Sequence, residues 1–152
     1  MALDLKTAAK KLLVNNIGLK KGERVVVVTD RKECPIFSAV CNQVKKLGGK
    51  LEQVRISPRR TNSQPLPQLK DTFASAKVII GITDKSISHC PETRRARKRH
   101  GARAITMPGV YTRLFLKAMH ADQKKVKEVG EDLAEKLRKT GVVRISTPSG
   151  TN

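Results

Sequence analysis

Four consecutive valines, Val25–Val28, limit the folds open to this chain more than any other segment. A strand with one wet face alternates apolar and polar residues, whereas this run is apolar and β-branched at every position. Such runs are typical of a parallel strand that is covered on both faces. The segment therefore predicts a central strand of an α/β sheet with helices packed on each side.

Strand and helix patterns alternate along the rest of the chain. Pro35 suits the first turn of a helix, and Gly48-Gly49 suits a helix end. This alternation favours βαβ units, right-handed crossovers and a mainly parallel sheet. The periodicity predicts helices over residues 3–15, 35–47, 67–75, 91–100, 110–119 and 122–139, and strands over residues 25–28, 51–56, 77–82, 103–107 and 142–147.

A chain of 152 residues suits one domain with its own core. We expect a single α/β domain over residues 1–152, with three layers, a mainly parallel five-stranded sheet, helices on both faces and a Rossmann-like arrangement. The sparse cysteines Cys34, Cys41 and Cys90 favour a reducing compartment. No apolar run reaches the roughly 20 residues of a membrane span, and the amino terminus lacks the pattern of a signal peptide. We therefore expect a cytoplasmic protein with no membrane partner.

Charge is the most unusual property of the composition. Lys and Arg number 32 against 13 acidic residues, which gives a net charge of +19. Solubility of a small domain needs a net charge of only about 2–8, and the excess destabilises the compact state by self-repulsion. A negatively charged partner would relieve this repulsion, and nucleic acid is the commonest one. Judged by charge alone, an anionic membrane surface is the second candidate partner. The alternative without any partner is that the basic residues simply form a solvated surface.

The basic residues are densest between Thr93 and His100. On a helix, Ala96 and His100 are the candidates for the inward side, which leaves the cations on the exposed arc. Aromatic residues are scarce, so contacts with phosphates of structured RNA or duplex DNA are favoured over base stacking. The predicted nucleic-acid-binding residues are Arg94, Arg95, Arg97, Lys98 and Arg99, with Arg59, Arg60, Lys20, Lys21, Arg113 and Lys117 as extensions of the surface.

Signatures of catalysis are missing from the sequence. Neither G-x-G-x-x-G after the first strand nor a Walker A motif is present. His89, His100 and His120 lack the ligand spacings of metal sites, and the neighbours His89 and Cys90 do not form a recognised pair. Thr29-Asp30 and Thr83-Asp84 end two predicted strands, where open α/β sheets bind ligands. We assign no catalytic residue, metal ligand or cofactor.

Several segments, in this order, resemble the amino-terminal part of the M29 metallo-aminopeptidases, also called the aminopeptidase T or thermophilic metalloprotease family. The similar segments are Lys20–Val25, Arg94-Arg95 through Gly101-Ala102-Arg103, Met107-Pro108-Gly109-Val110 and Arg144–Asn152. The resemblance implies an α/β domain of a peptidase. It also implies paired metal ions held by Glu, His and Asp residues beyond the segment that ends at Asn152, so no position here inherits a ligand role.

Three hypotheses follow for the function. The first is a non-catalytic relative of the aminopeptidase amino-terminal domain that binds RNA, with the ribosome as one candidate partner. The second is a fragment or split piece of a metal-dependent leucyl-type aminopeptidase. The third is a structural subunit of a larger assembly, in which the basic surface meets an acidic protein partner.

Overall fold

One parallel sheet organises the computed structural model, which describes residues 4–151. Its strands are β1 (Arg24–Thr29), β2 (Lys50–Arg55), β3 (Val78–Ile82) and β4 (Arg103–Thr106). Their order across the sheet is β2-β1-β3-β4, and each neighbouring pair runs parallel. The chain therefore places β2 on one side of β1, crosses back to place β3 on the other side, and then adds β4 beside β3.

Helices connect and follow the strands as the sequence periodicity predicts, with small shifts at their ends. A 3₁₀ turn, Pro67–Leu69, precedes the third helix, and a π-helical segment, Leu12–Asn16, continues the first. Residue 3 of the predicted first helix lies outside the described residues. The helices are α1 (Leu5–Lys11), α2 (Pro35–Lys46), α3 (Lys70–Ser75), α4 (Pro91–His100), α5 (Thr112–His120) and α6 (Gln123–Arg138).

The valine run of β1 supplies side chains to two separate cores. Val25 and Val27 belong to the core that includes side chains of α1, α2 and α5. Val26 and Val28 belong to the core that includes side chains of α3 and α4. All four are fully buried. The α/β class, the parallel sheet and the helices on both of its faces are confirmed.

The expected fifth strand is wrong, because residues 142–147 form no strand. Val142, Val143 and Ile145 remain 83%, 54% and 67% exposed. A strand requires a neighbour that takes up its backbone N–H and C=O groups. The β-branched pattern of this segment is a local property, and it does not supply such a neighbour. The sheet therefore has four strands within the described residues.

Contacts divide the described chain after His120 into two compact units. The second unit consists of α6 and the residues that follow it. Asp122 caps α6 by accepting hydrogen bonds from two backbone N–H groups, and four i,i+4 ion pairs line the helix. The apolar seam predicted for this helix is present, but its side chains are exposed: Val126, Val129, Leu133 and Leu137. The prediction of one domain over residues 1–152 stays a prediction.

No helix among the described residues is long and apolar enough to cross a membrane.

Arg103 ties the start of β4 to the segment that leads into β1. Its guanidinium donates to the backbone oxygen of Ile17 at 2.9 Å and meets the Glu23 carboxylate at 2.6 Å. The hydrogen bond from Arg103, together with one from the backbone N–H of Lys20, lowers the pKa of Glu23 below its ordinary value. The ion pair thus fastens the amino ends of strands that are not direct neighbours in the sheet.

We expect Glu23→Gln to lower the free energy of unfolding by about 1 kcal/mol at pH 7. A carboxylate with a lowered pKa stabilises the folded state above its ordinary pKa, and this contribution is lost as the pH falls. The difference between wild type and variant should therefore be constant near neutrality and shrink below about pH 4.5. Urea unfolding at a series of pH values measures it, and a difference independent of pH would contradict the role of this ion pair.

Gly81 in β3 leaves no room for a side chain. An added Cβ would lie 2.8 Å from both Cδ1 and Cγ1 of Ile87. Ile87 is itself fully buried in the core that includes side chains of α3 and α4. The glycine is therefore required by packing between the strand and the loop that leads to α4.

We expect Gly81→Ala to lower the free energy of unfolding by about 1–3 kcal/mol, since overpacking forces buried neighbours to shift. Gly130→Ala is the matched control, because an added Cβ there meets no atom within 4 Å. In an exposed helix interior that change should raise helicity. Urea unfolding and circular dichroism test the pair, and a Gly81→Ala protein as stable as wild type would show that the contact with Ile87 is not tight.

Candidate nucleic-acid interface

The helix α4 presents a small buried side to the protein and a broad outer side to solvent. Its buried residues are Thr93 and Ala96. Pro91 occupies the first turn, where its missing N–H has no intrahelical partner to lose. Gly101 ends the helix with a left-handed φ of 65°, a conformation that glycine adopts without steric conflict. The sequence thus defines both ends of a helix of 10 residues.

Five basic side chains cover the outer side of α4. Successive residues are about 100° apart around a helix, so Lys98 lies nearly opposite the buried Ala96. Arg97 and Arg99 lie to either side of Lys98. Ala96 points inward as expected, whereas His100, the last residue of α4, is exposed and lines the cleft between α3 and α4. The exposed cations are Arg94, Arg95, Arg97, Lys98 and Arg99.

These five side chains form no hydrogen bond or ion pair with any described residue. Arg24 and Arg31, by contrast, meet carboxylates at 2.7 Å. The acidic residue of α4, Glu92, accepts a hydrogen bond from the Leu66 backbone N–H at 2.9 Å. No carboxylate of the described residues, Glu92 included, therefore forms an ion pair with these five cations.

Two grooves flank the row formed by Arg94 and Lys98. The larger, of about 710 Å³, also contains Ser88, His89 and Arg97 in its walls. The smaller, of about 280 Å³, is formed with Arg95, Arg99 and Pro91. Both grooves are open to solvent and basic, so each can accept an anionic group.

Ser88 and His89 are surface residues that the sequence prediction missed. They belong to the loop over residues 83–90, which precedes α4. The Ser88 hydroxyl lies 2.7 Å from the Ser86 hydroxyl, and the Ser86 backbone N–H donates to Asn62 at 2.7 Å. Their place beside Arg97 results from how this loop folds back, and no residue pattern in the sequence signals that.

Arg59 is buried, contrary to its predicted role on the basic surface. It is 7% exposed, and its guanidinium donates to the backbone oxygens of Gln64 at 3.1 Å and Lys85 at 2.8 Å. A further bond reaches the Ser86 oxygen. The guanidinium links two loops by satisfying carbonyl groups that strands and helices leave unpaired. It is therefore not free to contact a phosphate.

The other predicted extensions are exposed but do not form one surface with α4. Arg113 and Lys117 lie on α5, which packs on the opposite face of the sheet. Lys20 and Lys21 lie in the turn before β1. Arg60 lies in the loop that Arg59 fastens to residues 85 and 86. Among these predicted extensions, Arg60 therefore belongs to a loop that is bound to the segment before Ser88 and His89.

The side chain of Arg31 crosses the carboxyl edge of the sheet. The sequence indicates this edge as a plausible ligand surface. Arg31 follows β1 and pairs with Asp84, which follows β3, at 2.7 Å. It also donates to the Val110 backbone oxygen after β4. Asp30 accepts the Asp84 backbone N–H at 3.0 Å. The arginine thus fills the place between β1 and β3 where open α/β sheets bind ligands.

The titratable side chains of the described residues form no group of three or more His, Cys, Asp or Glu that could hold a metal ion. All three cysteines are buried and free. Burial raises the pKa of the Cys41 thiol to about 11. Cys41 is therefore protonated near neutral pH, a state that is a poor nucleophile.

Comparison with known proteins identifies a likeness of fold. No protein-family model matches this sequence, and no curated protein sequence matches it. Among solved structures, the chain is similar to 2,5-dihydroxypyridine dioxygenase from Pseudomonas putida KT2440, with a TM-score of 0.55 at 12% identity. The match covers 68% of this chain and 33% of the dioxygenase chain. The chain therefore spans about a third of that protein, and the likeness concerns the fold alone.

We expect Arg59→Lys to lower the free energy of unfolding by about 2 kcal/mol, because one ammonium group cannot replace a planar guanidinium bound to three carbonyls. Arg60→Lys is the control in the same loop, and it should leave stability unchanged because Arg60 is exposed. Urea unfolding compares the two variants. Equal stability of both would show that Arg59 does not hold the loops together.

Proposed function

We propose that this chain is a non-catalytic α/β domain that binds RNA through the outer side of α4, with the ribosome as one candidate partner. The observation that carries the proposal is the set of five exposed cations on one short helix, none with a partner in the described protein. We call this set, Arg94, Arg95, Arg97, Lys98 and Arg99, the α4 surface.

Repulsion within the α4 surface supports a polyanionic partner. Like charges at i,i+3 and i,i+4, such as Arg94 with Arg97 and with Lys98, destabilise a helix by a few tenths of a kcal/mol per pair. Cations near the carboxyl end interact favourably with the helix dipole, but only one acidic side chain lies on the helix. A phosphate backbone removes the repulsion and releases its own counterions, which favours binding.

Phosphate contacts are favoured over base stacking at this surface. Phe37, Phe73 and Phe115 are buried in the two cores. Tyr111 is exposed, but it precedes α5 and not α4. Proteins that hold unpaired bases use aromatic platforms. The partner that we propose is therefore a nucleic acid whose backbone is presented in an ordered array, and we propose RNA.

The fold supports a finer proposal about ancestry. The order β2-β1-β3-β4 agrees with the first four strands of the flavodoxin-like doubly wound sheet, so we propose that the domain is Rossmann-like. The segments that resemble the M29 amino-terminal part include Met107-Pro108-Gly109-Val110, which follows β4. We propose that the chain is a relative of that domain in which the basic surface is used for RNA.

A split or partial aminopeptidase is the second candidate, and the order of the M29-like segments is the observation that favours it. Its chemistry would need metal ligands from residues outside this sequence. Peptidase activity that appears when Co²⁺ or Zn²⁺ and a carboxy-terminal partner chain are added would establish this candidate. No activity under those conditions would remove it.

We expect RNA affinity to fall steeply with salt, because each phosphate contact contributes about −0.7 to −0.9 to the slope of log K against log salt. The double variant Arg94→Ala/Lys98→Ala should bind about tenfold more weakly and reduce that slope by 1–2. Fluorescence anisotropy from 50 to 200 mM salt, the range over which such effects are large, measures both quantities.

Lys136→Ala/Lys139→Ala is the control with the same change in net charge. Lys136 and Lys139 already pair with Asp132 and Glu135, each at 2.7 Å, so this change should leave affinity nearly unaltered. Equal losses of RNA affinity in the two double variants would mean that binding follows net charge and not the α4 surface.

Purification of the native complex tests the alternative of an acidic protein partner. A complex that survives nuclease treatment would favour that partner over RNA.

A further inference from the structure

The α4 surface has two flanks that face different directions. Lys98 and Arg94 form the central row. Arg97 lies on one flank with Ser88 and His89, in the larger groove. The other flank is formed by Arg95 and Arg99. Because the two grooves share the central row, a ligand that fills both must present negative charge on two sides of the helix.

Spacing along the helix suits phosphates that follow one another. Residues four apart rise about 6 Å along a helix, so Arg94 and Lys98, like Arg95 and Arg99, form pairs at a repeat close to that of phosphates on one strand. The width of a helix with its side chains is about 10–12 Å. The two flanks therefore reach two separate backbones more readily than one.

The surroundings of α4 limit how deeply it can enter a nucleic acid. The loop with Ser88 and His89 lies along one side, and Pro67 and Lys70 lie along the other, beside α3. A recognition helix in B-DNA inserts into a major groove about 12 Å wide and reads base edges. These neighbours on both sides of α4 restrict its insertion into such a groove, so we expect the helix to cover a groove and not to fill one.

A-form RNA presents the backbone arrangement that this surface requires. Its major groove is deep and too narrow for side chains to read, which brings the phosphates of its two strands toward each other at the groove mouth. We propose that α4 lies over the mouth of the narrow major groove of an A-form RNA duplex, with the Arg97 flank on one strand and the Arg95–Arg99 flank on the other. This inference rests on the proposed RNA-binding function and defines its substrate class.

A comparison of four probes at equal salt tests the proposal: an RNA duplex, a DNA duplex of the same sequence, single-stranded RNA of the same length, and heparin. We expect the RNA duplex to bind at least about tenfold more tightly than the DNA duplex or the single strand, since flexible or wider backbones do not meet both flanks at once. Anisotropy titrations at fixed salt give these ratios.

Flank variants identify the contacts. Arg97→Ala and Arg95→Ala/Arg99→Ala should each weaken duplex RNA more than single-stranded RNA, so that the preference falls by about threefold or more in both. Lys136→Ala/Lys139→Ala should leave the preference unchanged. Circular dichroism melts of each variant verify that the fold is kept.

The outcomes separate this inference from the proposed function. Equal affinity for duplex RNA, duplex DNA and single-stranded RNA, with binding still weakened in Arg94→Ala/Lys98→Ala, overturns the A-form proposal and leaves RNA binding in place. If the preference for duplex RNA falls in only one of the two flank variants, the two-strand arrangement is overturned. Heparin binding without measurable binding to any RNA overturns both proposals.

Discussion

Burial of β1 on both faces is the constraint on which the rest of the first unit depends. A strand with four apolar residues in a row has no side that tolerates water, so helices must cover both sides of the sheet. Val26 and Val28 are buried in the core with side chains of α3 and α4. Val25 and Val27 are buried in the core with side chains of α1, α2 and α5. The position of α4 on the surface is thus a consequence of the core beneath it.

Charge is distributed unequally around that core. Arg24, Arg31 and Arg103 are each held by a carboxylate, and these ion pairs link strands or the loops at their ends. The basic residues of α6 are interleaved with acidic ones at i,i+4. Among the described residues, no carboxylate forms an ion pair with the five cations of α4, so solvent ions or a partner must balance their charge.

Two arginines, one buried and one at the carboxyl edge of the sheet, occupy places that the sequence analysis had linked to binding. Arg59 satisfies backbone oxygens of two loops, which makes it part of the scaffold that supports Ser88 and His89. Arg31 spans the carboxyl edge of the sheet, where open α/β sheets bind ligands. In both cases a guanidinium supplies several donors at once, which suits it to tie together carbonyl groups that regular structure leaves unpaired.

The sequence by itself determined the α/β class, the strand and helix segments up to residue 139, and the cations of α4, because each depends on local periodicity and on the unmistakable end signals Pro91 and Gly101. Tertiary structure decided the order of the strands, the failure of residues 142–147 to form one, and the burial of Arg59. It also decided that Ser88 and His89 lie beside Arg97. The physical reason is that sheet pairing, burial of a charge and the shape of a groove each require partners distant in sequence, which a local pattern does not specify.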